Sequence, residues 1–360
     1  MSGKVKKVFP GGNTSEGFFS FYDYMIDKDT ANRIFVIKGG PGVGKSSMMK
    51  RIGQEFAKRG YDVELHFCSS DNNSIDGVVI PKLKVALVDG TAPHVIDPKN
   101  PGAVDEIINL GEYWDQDKME QVKEDVLKTT KQVSRYFLRA YKFLQSCRPI
   151  VLDIQEKYKE AMDYGKVNFE TSKLIEEVFE NVPYRLKFGK ARHLFGSAIT
   201  PNGHVEITES ILQGIDKIYY IKGEVGTGKS TLLERIYNQA LLRGIDVEVY
   251  HAPLIPQKLE TVVIESLKVA FTTSNLFKEN NYKTIDLNEY LDKNIIKKYE
   301  EEIEYDKKIL NELFNKGIEN VKNAKKEHDV LEKYYVSNMD FEGIEKLRYD
   351  IVERILKYAK

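Results

Sequence analysis

Short apolar runs alternate with stretches of helical period along this chain, and the alternation occurs twice. In the first half the run Ile34-Phe35-Val36-Ile37 meets a glycine-rich turn, and an amphipathic stretch follows from Ser47-Met48-Met49 to Arg59-Gly60. In the second half Ile218-Tyr219-Tyr220-Ile221 meets another glycine-rich turn, followed by Thr231-Leu232-Leu233. The pattern predicts strand, loop and helix in each half, with Gly60 closing the first helix. A further strand is expected over 62–67, then a short helical or irregular stretch, then another strand over 84–88. Strands alternating with helices predict an α/β fold. Its sheets would be mostly parallel with helices on both faces, and ligands would bind beyond the carboxyl ends of the strands.

Past each α/β part the pattern changes to long, charged helical segments. The first spans about 116–182, with Met119, Val122, Val126, Val133, Phe137, Tyr141 and Leu144 on its apolar stripe and a break expected near Pro149. The second spans about 292–360, with Ile295, Tyr299, Ile303, Leu310, Leu313 and Val321. These segments predict helical subdomains packed on the α/β core, or arms that close on a small-molecule acceptor or a protein partner.

The halves are duplicates. Residues 37–87 align without a gap on 221–271, an offset of 184 (221 − 37), and 21 of the 51 positions are identical. The identities run past the loop, through Arg51-Ile52, Asp62-Val63-Glu64, Val78-Val79-Ile80 and Leu83-Lys84-Val85-Ala86. A weaker match links Phe9, Thr14 and Gly17 with Phe195, Thr200 and Gly203. Asn168-Phe169-Glu170 resembles Asp340-Phe341-Glu342, which extends the duplication into the helical segments. Two tandem domains follow, 1–184 and 185–360, each an α/β part with a helical extension.

The turns carry the chemistry. The first reads Gly39-Gly40-Pro41-Gly42-Val43-Gly44-Lys45-Ser46-Ser47, the second Gly223-Glu224-Val225-Gly226-Thr227-Gly228-Lys229-Ser230-Thr231. Both satisfy G-x-x-x-x-G-K-S/T between a strand and a helix, the context in which this pattern binds phosphate. Glycines allow backbone N–H groups to converge, and the helix start favours an anion. Lys45 and Lys229 would reach the β- and γ-phosphates. Ser46 and Ser230 would ligate Mg²⁺.

The surroundings of the two loops differ. The third strand of the first half ends in Val88-Asp89-Gly90. An acidic residue there holds Mg²⁺ in many phosphate-loop enzymes, so Asp89 is a metal and catalytic candidate. The second half has Thr273 in its place, a poorer ligand for a hard cation. Asp71, after the second strand, is a candidate base or water-positioning group, and Ile255 replaces it. Gly90 stands where hydrolytic enzymes often carry a glutamate, which leaves Asp71, Asp76, His94 and Asp97 as candidate bases. Charge neutralisation on a transferred phosphoryl group also calls for a cation. Arg135, Arg139, Arg148, Arg185 and Arg192 are the candidates.

Composition narrows the classes. The formal net charge is −1, which argues against a nucleic-acid partner held by a broad basic surface. No run of 18 apolar residues and no apolar signal core occurs, so a cytoplasmic protein without a membrane span is expected. Cys68 and Cys147 provide no disulfide framework, and the run Thr91-Ala92-Pro93-His94-Val95-Ile96-Asp97-Pro98 with His66 and Cys68 matches no zinc spacing. Lys38 and Lys222 sit seven residues before the loop lysines, not five as in MinD-like ATPases. There is no LSGGQ-type segment and no N-K-x-D, so ATP is expected over GTP.

Lys38–Ser46, Cys68–Asp71, the run Val88-Asp89-Gly90-Thr91-Ala92-Pro93-His94, and the second loop with Thr272-Thr273-Ser274-Asn275 together resemble the bacterial twin-P-loop ATPase family, sometimes described as nucleotide-kinase-like. The resemblance covers nearly the whole chain. It implies two tandem P-loop NTPase domains with ATP as ligand, and it implies no substrate. The expectation is a Mg²⁺-dependent ATPase with an active first site and a weaker second site. The alternatives are a small-molecule or nucleotide kinase and a non-hydrolytic ATP-gated switch or scaffold.

Overall fold

A computed structural model describes residues 2–91 and 97–359. The first half contains β1 (Val5–Val8), β2 (Gly11–Thr14), β3 (Gly17–Ser20), β4 (Arg33–Lys38), α1 (Lys45–Lys58), β5 (Val63–Phe67), β6 (Ile75–Ile80), β7 (Val85–Asp89) and β8 (Asp105–Asn109). Helices α2 (Gln116–Gln121), α3 (Lys123–Glu160) and α4 (Tyr164–Phe179) follow. The second half repeats the order with β9 (Ala191–Phe195), β10 (Ser197–Thr200), β11 (Gly203–Glu206), a short α5 (Thr208–Ile211), β12 (Lys217–Lys222), α6 (Lys229–Leu242), β13 (Val247–His251), β14 (Leu259–Ile264), β15 (Val269–Thr272) and β16 (Lys283–Asp286). It ends with α7 (Lys293–Lys298), α8 (Glu300–Val336) and α9 (Phe341–Leu356). The strand before each glycine loop and the helix after it fall where the apolar pattern predicts.

Each half is α/β, with a mixed sheet of six strands in the order β1-β5-β6-β7-β4-β8 and β9-β13-β14-β15-β12-β16. Pairing is parallel except at β6 and β14, which run antiparallel to both neighbours. The stretch expected to be helical or irregular before the third strand therefore holds a strand. Only residues 68–74 separate β5 from β6, enough for a turn and too few for a helical crossover.

The long helices cover one face of each sheet, not both as expected, and the four-residue α5 reaches the opposite face of the second sheet, where Ile211 packs with Leu194, Tyr250, Val263 and Ala270. In the first half α1 packs on that face through Met48, Met49, Ile52 and Phe56. The opposite face, formed by Ile34, Val36, Val79, Ala86 and Val88, is covered by Phe18, Tyr22 and Met25 from the hairpin β2–β3 and the turn after it. These apolar residues precede β4 and occupy the place a second helical layer would take.

The α1 face is completed from the other half. Ile344, Ile351, Val352 and Ile355 of α9 are buried in the core of the first sheet. Val167, Leu174 and Phe179 of α4 are buried in the core of the second. The halves thus exchange helices, and backbone hydrogen bonds seal both crossings. Asp115 N donates to Asn338 O (2.8 Å) and Asp340 N to Tyr113 O (2.7 Å). At the matching place Asp292 N donates to Ala161 O (2.8 Å) and Asp163 N to Tyr290 O (3.0 Å).

These bonds make Asp163 the counterpart of Asp340, an offset of 177 (340 − 163). Both are N-caps, accepting from Lys166 N (3.1 Å) and Gly343 N (2.9 Å). The sequence match of Asn168-Phe169-Glu170 with Asp340-Phe341-Glu342 is five residues out of register (168 − 163). The capping aspartate marks the true equivalence, because the cap fixes where the helix starts.

Between the two crossings α3 and α8 run antiparallel. Lys157 Nζ lies 3.2 Å from Asp306 Oδ2 and 3.4 Å from Glu302 Oε2. Cys147 faces Leu310, and a Cβ on Gly317 would come within 2.7 Å of Leu144. Helix α3 continues through Pro149 instead of breaking there. The proline removes one N–H, a loss offset by the burial of Cys147, Val151 and Ile154 around it. The break falls at Ala161–Asp163, where Asp163 caps a new helix.

The sheets meet edge to edge through equivalent residues. Phe9 and Phe195 exchange both backbone hydrogen bonds, at 3.0 and 2.9 Å. Beside them Arg192 binds Glu64 (2.6 Å) and Glu248 (3.2 Å), and Lys6 binds Glu248. Burial would raise both carboxyls, but the facing cations hold Glu64 and Glu248 below the ordinary carboxylate range. Among the described residues no helix is long and apolar enough to cross a membrane.

Arg192→Ala leaves two carboxylates facing each other with Lys6 alone, and is expected to cost about 3 kcal/mol in urea unfolding at pH 7. Both carboxyls titrate low in the folded state, so the cost should shrink as pH falls below 4. A cost under about 1 kcal/mol at pH 7 would show the cluster to be dispensable.

Candidate functional site

Each glycine loop leaves its strand and turns directly into a helix. Gly44 and Gly228 are the N-caps of α1 and α6, with φ of 91° and 99°. Side-chain-bearing residues rarely adopt that left-handed backbone, so glycine is required there. No capping side chain takes the first N–H groups of either helix, which leaves them aimed at the space above the loop.

The lysines close over their own loops. Lys45 Nζ donates to Gly39 O (2.8 Å) and Gly40 O (2.7 Å) and lies 3.7 Å from Asp89 Oδ2. Lys229 Nζ donates to Gly223 O and to Glu224 O (2.9 Å). Ser46 Oγ accepts from Ile75 N (3.0 Å), and Ser230 Oγ accepts from Leu259 N (2.8 Å). The lysine and serine thus make the same hydrogen bonds at equivalent positions of the duplication. Ser47 and Thr231 follow them, exposed on the first turn of each helix. The remaining loop positions, Pro41, Val43, Val225 and Thr227, shape the turn; Val43 is buried, and Thr227 Oγ1 donates to Glu224 O (2.8 Å).

The opposite half covers both loops. A Cβ on Gly40 would come within 2.4 Å of Tyr335 Cε1, and one on Gly42 within 3.0 Å of Glu332 O. In the second loop a Cβ on Gly226 would meet Gln155 O at 2.6 Å. Glycine at these positions lets α8 and α3 lie directly on the loops. Tyr335 also packs against Trp114, with ring centroids 6.0 Å apart.

The charges around the two lysines differ more than the loops do. Burial lowers Lys45, and Asp89, Glu332 and Asp76 push back against that fall. Burial lowers Lys229 to about 8, where Glu224 opposes the fall and Lys258 adds to it. Helix α8 brings Lys325, His328, Asp329 and Glu332 to the first loop. Ligand atoms of the last three lie within 4.8 Å of one another. The counterparts on α3, 177 residues earlier, are Arg148, Val151, Leu152 and Gln155.

The sequence candidates fall into groups. Asp89 and Lys45 come together, and Asp89 also accepts from Thr91 N (2.9 Å). Asp71 accepts from Asn73 N and Ser74 Oγ, both at 2.9 Å, and pairs with Lys325 at 3.4 Å. Asp76 is buried and accepts from Tyr22 Oη at 2.6 Å. Asp97 is exposed and pairs with Lys38 at 3.0 Å. His94 lies outside the described residues. Of the arginines, Arg148 lies on the helix that covers the second loop, paired with Glu16 at 2.5 Å. Arg135 and Arg139 contact Gln132 and Phe143 on their own helix, Arg185 sits by Gly244 at the far end of α6, and Arg192 belongs to the junction of the sheets.

Reading each half by itself misses the residues that cross over: Lys325, His328, Glu332 and Tyr335. It also misses Glu260, the counterpart of Asp76 at the 184 offset, so an acid does stand in the second half. Glu260 accepts from Ser197 Oγ at 2.6 Å, and burial raises it to about 7. Cys68 is buried, and its thiol is pushed well up by burial with Asp76 beside it.

No protein family, curated protein or solved structure matches this chain. The reading of the site therefore rests on its geometry.

Glu260 sets a pH dependence. Its folded pKa lies above the ordinary 4.5, so it favours the folded state at low pH and loses that advantage as pH rises through about 7. Glu260→Gln is expected to raise Tm at pH 8 by several degrees and to leave it nearly unchanged at pH 5. Equal shifts at both pH values in thermal melts would contradict this.

Proposed function

We propose that the chain is an ATP-binding protein with two P-loop NTPase units, and that the first site hydrolyses ATP with Mg²⁺. The observation that carries this reading is the first loop itself. A half-buried lysine stands 3.7 Å from the carboxylate that ends β7, above a helix start with no side-chain cap. Ser46 and Asp89 supply the hydroxyl and carboxylate oxygens that Mg²⁺ favours. Bound there, the ion would neutralise phosphate charge. Lys45 would hold the β- and γ-phosphates, with the α1 N–H groups behind them. Asp71, drawn towards Lys325, would orient the attacking water.

The asymmetry of charge supports different tasks for the two loops. Asp89, Glu332 and Asp76 surround Lys45, and they disfavour a bare polyanion. Lys258, with Arg148 near it, accompanies Lys229, and both favour one. The second site is read as a holding site with weak turnover. The exchanged helices favour a further reading, an ATP-gated switch, since α3 and α8 each lie on the loop of the opposite half and pack on each other.

Lys45→Ala is expected to abolish ATP hydrolysis, while Lys229→Ala should leave at least a tenth of it. Equal losses would remove the assignment of turnover to the first loop. ATP binding with EDTA present should persist in Lys45→Ala and fall at least tenfold in Lys229→Ala, by calorimetry. Loss of EDTA-resistant binding in Lys45→Ala instead would reverse the assignment. A bound anion restores the proton of Lys229, whose free value is about 8. Binding to the Lys45→Ala chain at pH 8.5 should therefore take up about half a proton or more, measured in two buffers of different ionisation enthalpy. No uptake would mean that Lys229 stays outside the phosphate contact.

A further inference from the structure

Helix α9 lies beside α1 with the two N-termini level. Phe341 stands at the start of α9, its Cε1 3.6 Å from where a Gly44 Cβ would be. Further along, Glu345 pairs with Arg51 at 2.7 Å, and Arg348 with Glu55 at 3.0 Å. The second half repeats the arrangement with its partners exchanged. Tyr164 opens α4, its Cε1 3.8 Å from a Gly228 Cβ, and Asn168 accepts from Arg235 Nη1 at 2.6 Å.

Each of these aromatic residues follows its capping aspartate, Asp340 or Asp163. Both rings are exposed, Phe341 at 44% and Tyr164 at 38%, and neither is a buried member of a core cluster. The next residues have diverged, Glu342 against Gly165, yet an aromatic ring is kept at both places. An exposed ring at a first helical position adds little to helix stability. Its position suggests another use. If the loop N–H groups hold a chain of phosphates, the group it carries would lie near the first turn of α1, beside Phe341.

We propose that Phe341 is the shelf on which the nucleobase at the first loop stacks, and that Tyr164 serves the second loop in the same way. The proposal rests on the reading of the loops as nucleotide sites. Each base would then be held by the half that does not hold its phosphates. Tyr164 is tied to its loop by an Oη hydrogen bond to Gly226 O at 2.8 Å. Phe341 has no hydroxyl, so packing alone holds its ring. Purines, with the larger face, should be preferred to pyrimidines.

The test compares ATP, supplied as its non-hydrolysable β,γ-imido analogue, with inorganic tripolyphosphate, both with Mg²⁺, on the full chain carrying Lys229→Ala so that the first loop is read alone. Calorimetry on that parent, and on the same chain with Phe341→Ala or Phe341→Leu, should show ATP binding weakened about tenfold by either substitution. Tripolyphosphate binding should be unchanged, and Phe341→Tyr should retain ATP binding. Leucine keeps apolar volume at the position, so a loss seen with alanine but not with leucine would assign Phe341 to packing and overturn the shelf. Equal losses for both ligands, or no loss for ATP, would also overturn it. If the parent binds neither ligand, the phosphate-site reading of the first loop fails, and the shelf with it.

Discussion

Each sheet leaves one apolar face that its own half covers only in part. In the first half α1 lies on that face, and the remaining surface is closed by Ile344, Ile351, Val352 and Ile355 from α9. In the second half Val167, Leu174 and Phe179 arrive from α4 to do the same beside α6. Burial of an aliphatic side chain of this size is worth about 1.5–3 kcal/mol, so the exchanged helices contribute a large share of each core. The antiparallel pairing of α3 with α8, the crossings at Asp163 and Asp340 and the covering of the glycine loops all follow from this exchange.

The exchange also explains why the loops could stay alike while their environments diverged. Loop geometry depends on local demands: left-handed backbone at Gly44 and Gly228, close approach of a helix at Gly42 and Gly226, and a lysine bonded to two loop carbonyls. The charge around each lysine depends instead on residues far away in sequence. Glu332 and His328 reach the first loop from α8, while Gln155 and Val151 hold the matching places on α3. Substitutions where one covering helix meets its loop therefore change the charge at that loop and not at the other.

Much of this was legible in the residues. The strand-loop-helix units followed from apolar runs bounded by glycine, and the place of Asp89 at the end of a strand followed from the apolar run before it. The antiparallel β6 was hidden because an apolar run such as Val78-Val79-Ile80 has no direction in it, and only the shortness of the preceding turn decides it. Pro149 suggested a break, but packing on both sides of α3 outweighed one missing hydrogen bond. The exchange could not be read from periodicity at all, because an amphipathic stripe states that a helix packs and not on what. Its trace was the pair of capping aspartates, Asp163 and Asp340, obscured by a nearby match in the wrong register.

The order in which the chain is made gives the crossing of α9 one more meaning. Synthesis delivers β1 to β8 and α1 first, yet Ile344, Ile351, Val352 and Ile355, which close the face beside α1, are made only after the strands of the second half. The first half must wait, partly uncovered, through the translation of the entire second half. A nascent chain of this design cannot mature one half at a time, and a transcript truncated before residue 341 would yield an open first core that quality control can recognise.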